Sequence, residues 1–180
     1  MQQSISLYYY QKTGPVFIGT LWAIGFFLLS YKGYERQDAV AGNFAWGFAL
    51  GVSLCPTKPC DASIGYNETL ANLHWVFAGL LFLTLSYFSL LLFTKTDSPN
   101  PTRQKQQRNI VYRACGFTML GCIALVPIAQ HFAGCNSDAR PVFWLEAITI
   151  AAFGVSWLVK GEAILADPPE VKRSADPNLT

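Results

Sequence analysis

Hydrophobic positions in this chain fall in long unbroken runs, not in the alternating or three-to-four-residue stripes of a soluble fold. The runs cover residues 15–31, 39–55, 70–94, 110–130 and 141–159. Each approaches the ~20 residues an α-helix needs to cross a bilayer core. The polar stretches between them are short. The pattern predicts an all-α integral membrane protein, a bundle of five transmembrane helices over residues 15–165 with no room for a second domain. Residues 1–14, "MQQSISLYYYQKTG", read as an interfacial segment, because tyrosine rings with polar tips are stable among headgroups. Residues 166–180, Pro-rich and charged, read as a disordered tail.

Composition agrees. Hydrophobic residues make up 52% and charged residues 13% of the chain, the latter about half the roughly 25% usual in a soluble domain. The first run does not read as a cleaved signal peptide. The charged "YKGYERQD" separates it from the small-residue stretch Ala39-Val40-Ala41.

Charge sets the expected orientation. With five spans, one side holds Lys32, Arg36, Lys95, Arg103, Lys105, Arg108, Arg113, Lys160, Lys172 and Arg173, and the other only Lys12, Lys58 and Arg140. Lys and Arg concentrate on the cytoplasmic side of inner membranes, which predicts an outer N-terminus and a cytoplasmic C-terminus. A miscounted span would scramble the asymmetry.

That orientation sorts the five cysteines. Cys115 and Cys122 lie inside the fourth run as small packing residues. Cys55, Cys60 and Cys135 fall in the two outer loops, where an oxidising compartment would join two of them and leave one thiol over. All three pairings are open. Cys55-x4-Cys60 with His131-x3-Cys135 also has the ligand types of a Cys3His zinc site; the disulfide fits an outer loop better, and no metal is expected. Asn67-Glu68-Thr69 matches a glycosylation sequon.

Polar positions inside the runs carry the functional expectation. Ala41, Ala45 and Ala49 form one small-residue row of the second run, and Asn43, Gly47 and Gly51 another; such rows let helix backbones approach closely. In the fifth run Glu146, Thr149, Phe153, Ser156 and Lys160 share a helix face. An ionised side chain at mid-membrane costs at least ~2.5–3.5 kcal/mol, so this face should turn inward. His74 opens the third run at the depth of Glu146, and the two are expected to pair. The expected ligand-binding residues are His74, Glu146, Thr149, Ser156 and Asn72. His74 and Glu146 are also the candidates for catalysis, although no serine or cysteine nucleophile motif accompanies them. At the cytoplasmic face Lys32, Arg36, Arg108, Arg113 and Lys160 could seat an anionic lipid headgroup, or pair with Glu35, Asp38 and Glu162.

The stretches "YKGYERQD", "LHWVFA", "LLFTKT", "RNIVYRACG" and "FGVSWLVKGE" together resemble a family of short bacterial inner-membrane proteins with no assigned activity, from about Tyr8 to Asp167. A lesser likeness is to membrane proteins of the Frag1/DRAM/Sfk1 type, in which a histidine also opens a membrane helix; those have six spans. Alkaline-ceramidase-like hydrolases resemble the chain least, since their zinc site implies three histidines and this chain has two. The resemblance implies a bacterial inner-membrane location and no particular reaction.

The sequence thus supports a membrane protein that binds a lipid, another hydrophobic ligand or a membrane partner through an outward-facing polar pocket. A lipid-modifying enzyme using His74 and Glu146 is the first alternative. A structural or assembly subunit of a membrane complex is the second. Expected partners are membrane lipids, with a partner membrane protein or a second copy of the chain as further options. Neither a cofactor nor a nucleic-acid partner is expected.

Overall fold

The computed structural model describes residues 1–31, 36–96, 101–135 and 137–166, and the described part is helical without strands. Five α-helices follow in order: α1 (Gly14–Leu29), α2 (Arg36–Leu54), α3 (Glu68–Tyr87), α4 (Arg103–Ala133) and α5 (Pro141–Lys160). A 3₁₀ turn, Ser6–Tyr10, precedes α1, and a π-helical turn, Phe88–Leu92, extends α3. Most of the expected tail lies outside the described residues.

Three helical stretches are long and apolar enough to cross a membrane: Glu68–Leu92, Arg103–Ala133 and Pro141–Lys160. The other two expected spans fall short for separate reasons. Helix α1 has 16 residues, about 24 Å at 1.5 Å per residue. Helix α2 has 19 residues, but Arg36, Gln37, Asp38 and Asn43 dilute its apolar character.

Consecutive helices pack on one another, and α5 also meets α3 and the π turn. Aromatic side chains close the ring of helices. Trp157 of α5 sits 4.7 Å from Phe27 of α1, and Tyr31 lies 5.3 Å from Trp157 and 5.5 Å from Phe88, ring centre to ring centre. This cluster holds the end of the bundle opposite the loops that follow α2 and α4. Between lipid-solvated helices there is little hydrophobic driving force, so close fit must hold them together. The row Ala41, Ala45, Ala49 is buried as expected. Beside it Gly42 packs so closely that a Cβ would stand 2.5 Å from the Leu28 carbonyl oxygen of α1. The second row is split: Gly51 touches the Phe77 ring, whereas Gly47 faces open space.

The π turn puts one extra residue into α3, so the Phe93 N–H reaches back five residues to the Phe88 carbonyl (2.8 Å). The wider turn presents Ser89 to α5, and its hydroxyl meets that of Ser156 at 2.8 Å with both side chains fully buried. Ser156 and Thr149 therefore do face the interior. They serve packing: the Thr149 hydroxyl donates to its own helix at the Leu145 carbonyl (2.8 Å).

At the charged end the expected Arg108–Glu162 ion pair forms, whereas Asp38 takes another partner. Asp38, 1% exposed, pairs with Lys95 at 3.6 Å, a partner that no spacing in the sequence assigns to it. Arg108 is buried; its Nη1 donates to the Leu165 carbonyl at 2.9 Å and lies 3.5 Å from Glu162. Lys160 lies over the Phe93 ring at 5.9 Å. Arg113 is exposed, and Arg36 lines a groove of about 610 Å³ between α2 and α3 with Phe44, Phe48 and Leu83. Lys32 and Glu35 lie outside the described residues.

Candidate functional site

The loops after α2 and α4 meet at one end of the bundle, tied by a disulfide between Cys60 and Cys135. Of the three pairings open from sequence, this is the one formed, and Cys55 is left as a buried free thiol beside free Cys115 and Cys122. The disulfide consumes two of the four groups of the alternative zinc site. Among the described residues no three His, Cys, Asp or Glu side chains gather as metal ligands, and His131 is exposed.

The N-terminal segment folds over this end, and the start of α5 explains why. Pro141 at the helix start has no N–H, and Arg140 before it gives no side-chain cap. The first turn therefore needs an outside acceptor, and the Gln3 carbonyl takes the Phe143 N–H at 2.9 Å. Gln3 Nε2 donates to the Ser137 carbonyl at 3.1 Å. The Ile5 N–H donates to Glu146 Oε2 at 2.5 Å, and Ser6 stands beside that carboxylate. Farther along, the Tyr10 hydroxyl donates to the Thr57 carbonyl at 2.7 Å. Burial, with a smaller contribution from Tyr9, raises the Tyr10 phenol above its ordinary pKa and keeps it a donor.

Beneath this segment lies a cavity of about 180 Å³. Gln3, Ser4 and Ser6 line it from the N-terminus, Thr57 and Lys58 from the loop after α2, His74, Trp75 and Ala78 from α3, and Glu146 from α5. His74 is 3% exposed. Its Nδ1 lies 2.6 Å from the Cys55 carbonyl, and the Val52 carbonyl of the same helix end stands close to the ring. A carbonyl only accepts, so Nδ1 carries the proton. In the neutral ring that leaves Nε2 as an acceptor.

A second cavity, about 90 Å³ and almost wholly apolar, continues into the bundle among Phe17, Leu21, Val52, Leu81, Leu85 and Phe153. Ser6, Ala78 and Glu146 line both cavities. Glu146 thus stands in the wall between a polar chamber and an apolar one.

Several expectations need correction. His74 and Glu146 share a chamber, but they do not pair: the imidazole is held by the end of α2 and the carboxylate by the N-terminus. Asn72 is exposed; two residues from His74 on a 3.6-residue helix, it points away from the cavity. Thr149 and Ser156 are buried and line neither chamber. Gln3, Ser6 and Thr57 belong to the site, yet no expectation from sequence included them. Their segments have no periodicity, and only the run of tyrosines hinted that residues 1–14 do more than trail. Asn67, in the sequon, is the cap of α3, its side chain accepting from the Leu70 N–H at 3.2 Å.

Fold and site define a helical membrane protein with a two-part cavity, polar then apolar, at one end of its bundle. Comparison with protein-family models, with curated proteins and with solved structures finds no match.

Proposed function

We propose that this protein binds an amphiphilic molecule, a lipid or other single hydrophobic ligand, with its head in the polar chamber and its tail in the apolar one. The reading includes five spans, a bacterial inner membrane, an outer N-terminus and a cytoplasmic C-terminus. Ten of thirteen basic residues then lie on the cytoplasmic side, and the disulfide lies in an oxidising compartment. The observation that carries the ligand reading is the shared wall: Ser6, Ala78 and Glu146 border both chambers. A mostly apolar cavity with a few convergent polar groups is the usual form of a small-molecule site.

The test is to purify the protein in mild detergent, unfold it, and identify co-purifying amphiphiles by mass spectrometry. One species near stoichiometric amount is expected in the wild type and absent from Ala78→Trp, which fills the junction. Identical annular lipid in both samples would remove the ligand reading.

A second reading, lipid modification with His74 as base, is favoured by one observation. The Cys55 carbonyl fixes the ring so that Nε2 is the basic nitrogen left for the chamber.

A further inference from the structure

We infer that the head of this ligand is a primary ammonium group on a single alkyl chain, an inference that rests on the amphiphile reading above. Three residues that line the polar chamber each carry an acceptor with capacity left for a donor. Gln3 Oε1 is buried with no hydrogen-bond partner, while the same side chain's Nε2 is used on the Ser137 carbonyl. A buried acceptor left unmet is costly, so an N–H or O–H donor belongs beside it. His74 Nε2 is the second acceptor, its tautomer set by the Cys55 carbonyl. Glu146 is the third. A carboxylate has about four lone-pair sites, and the Ile5 N–H occupies one.

Charge points the same way. Lys58, the cation among the lining residues, is exposed and lies over the Tyr66 ring at 5.7 Å. It leaves Glu146 without a cationic partner in the chamber. A primary ammonium brings three N–H donors and a positive charge to three acceptors, and such charge-assisted hydrogen bonds are about twice as strong as neutral ones. Its remaining bond, to carbon, leads past Ala78 into the apolar chamber. A carboxylate or phosphate head would set acceptors against acceptors.

The test compares octylamine, octyltrimethylammonium, octanol, octanoate and tailless ethylamine on the protein in lipid nanodiscs. Binding is read from Trp75 fluorescence against a Trp75→Phe control. Octylamine is expected to bind tightest, about tenfold weaker in Gln3→Leu and in Glu146→Gln, the loss of one good hydrogen bond. Gln3→Leu keeps the test usable if Glu146→Gln fails to fold. Equal binding of octyltrimethylammonium, which has the charge but no N–H, would overturn the donor requirement. Tighter binding of octanol or octanoate would overturn the ammonium head while leaving the amphiphile site standing. Ethylamine binding as tightly as octylamine would make this a site for a free amine and overturn the alkyl chain. If no probe binds, both the ammonium inference and the amphiphile reading fall.

Discussion

The backbone N–H of Ile5 meets the carboxylate of Glu146 at 2.5 Å, across 141 residues of chain. An acidic residue so near the start of a membrane helix therefore has a structural role, anchoring the N-terminal segment as a roof. Glu146→Gln keeps one oxygen acceptor and should be mild. Glu146→Leu leaves the Ile5 donor unmet, at roughly 1–3 kcal/mol. The leucine variant should show a lower melting temperature and faster amide exchange over residues 3–10, measured by hydrogen–deuterium exchange. Unchanged exchange there would mean that the roof is held without Glu146.

Features that depend on helical period were legible in the sequence. The inward face of α5 followed from spacing alone, and Thr149 and Ser156 are buried on it. The row Ala41, Ala45, Ala49 followed likewise. What failed were contacts between distant segments. Glu146 and His74 matched in depth, but depth on separate helices does not set direction. Each found a backbone partner that no side-chain pattern marks, Ile5 in one case and Cys55 in the other. The π turn was equally hidden, since "FSLLL" suits an ordinary α-helix as well. The span count rested on apolar runs, and α1 and α2 meet that criterion less fully once their helical limits are known.

Close approach at Gly42 gives a sharp packing prediction. A Cβ there would press on the Leu28 carbonyl, which is backbone and cannot rotate away. Gly42→Ala should destabilise the bundle by about 1–3 kcal/mol. Gly47→Ala, with nothing within 4 Å, should be neutral or gain up to ~1 kcal/mol from helix propensity. Unfolding the purified variants in detergent compares them directly, and a reversed order would contradict the α1–α2 packing.

Thiol counting tests the covalent framework. The denatured, unreduced protein should titrate three thiols, Cys55, Cys115 and Cys122, and five after reduction. Cys55→Ala should lower the first count to two. Cys60→Ala should raise it to four by freeing Cys135. Any other pattern would mean that the disulfide is shuffled or absent.

Orientation is checked by placing single cysteines in a cysteine-free background. Ser63→Cys, in the loop after α2, should react with an impermeant maleimide in intact cells. Ser98→Cys, between α3 and α4, should react only after permeabilisation. The reverse result would put the cavity on the cytoplasmic side, outside any oxidising compartment.

The two nitrogens of His74 have separate tasks. Nδ1–H donates to the Cys55 carbonyl, which fixes the loop after α2 against α3. Nε2 is the nitrogen left for the chamber. An asparagine amide N–H lies near where Nδ1 was, and a glutamine amide reaches toward Nε2, so two variants separate the two roles. His74→Phe should lose about 1–3 kcal/mol, because it strands a buried carbonyl. His74→Asn should recover much of that stability yet bind ligand weakly, its amide being too short to reach the chamber. His74→Gln should do the opposite, unstable like phenylalanine but with part of the ligand affinity restored. Melting temperature and amphiphile binding on the three variants separate these outcomes. If His74 is instead a catalytic base, neither amide restores turnover of a lipid substrate, because an amide takes up no proton at neutral pH. A stable Asn variant that retains bound amphiphile but loses a measurable lipid conversion would move the enzyme reading ahead of simple binding.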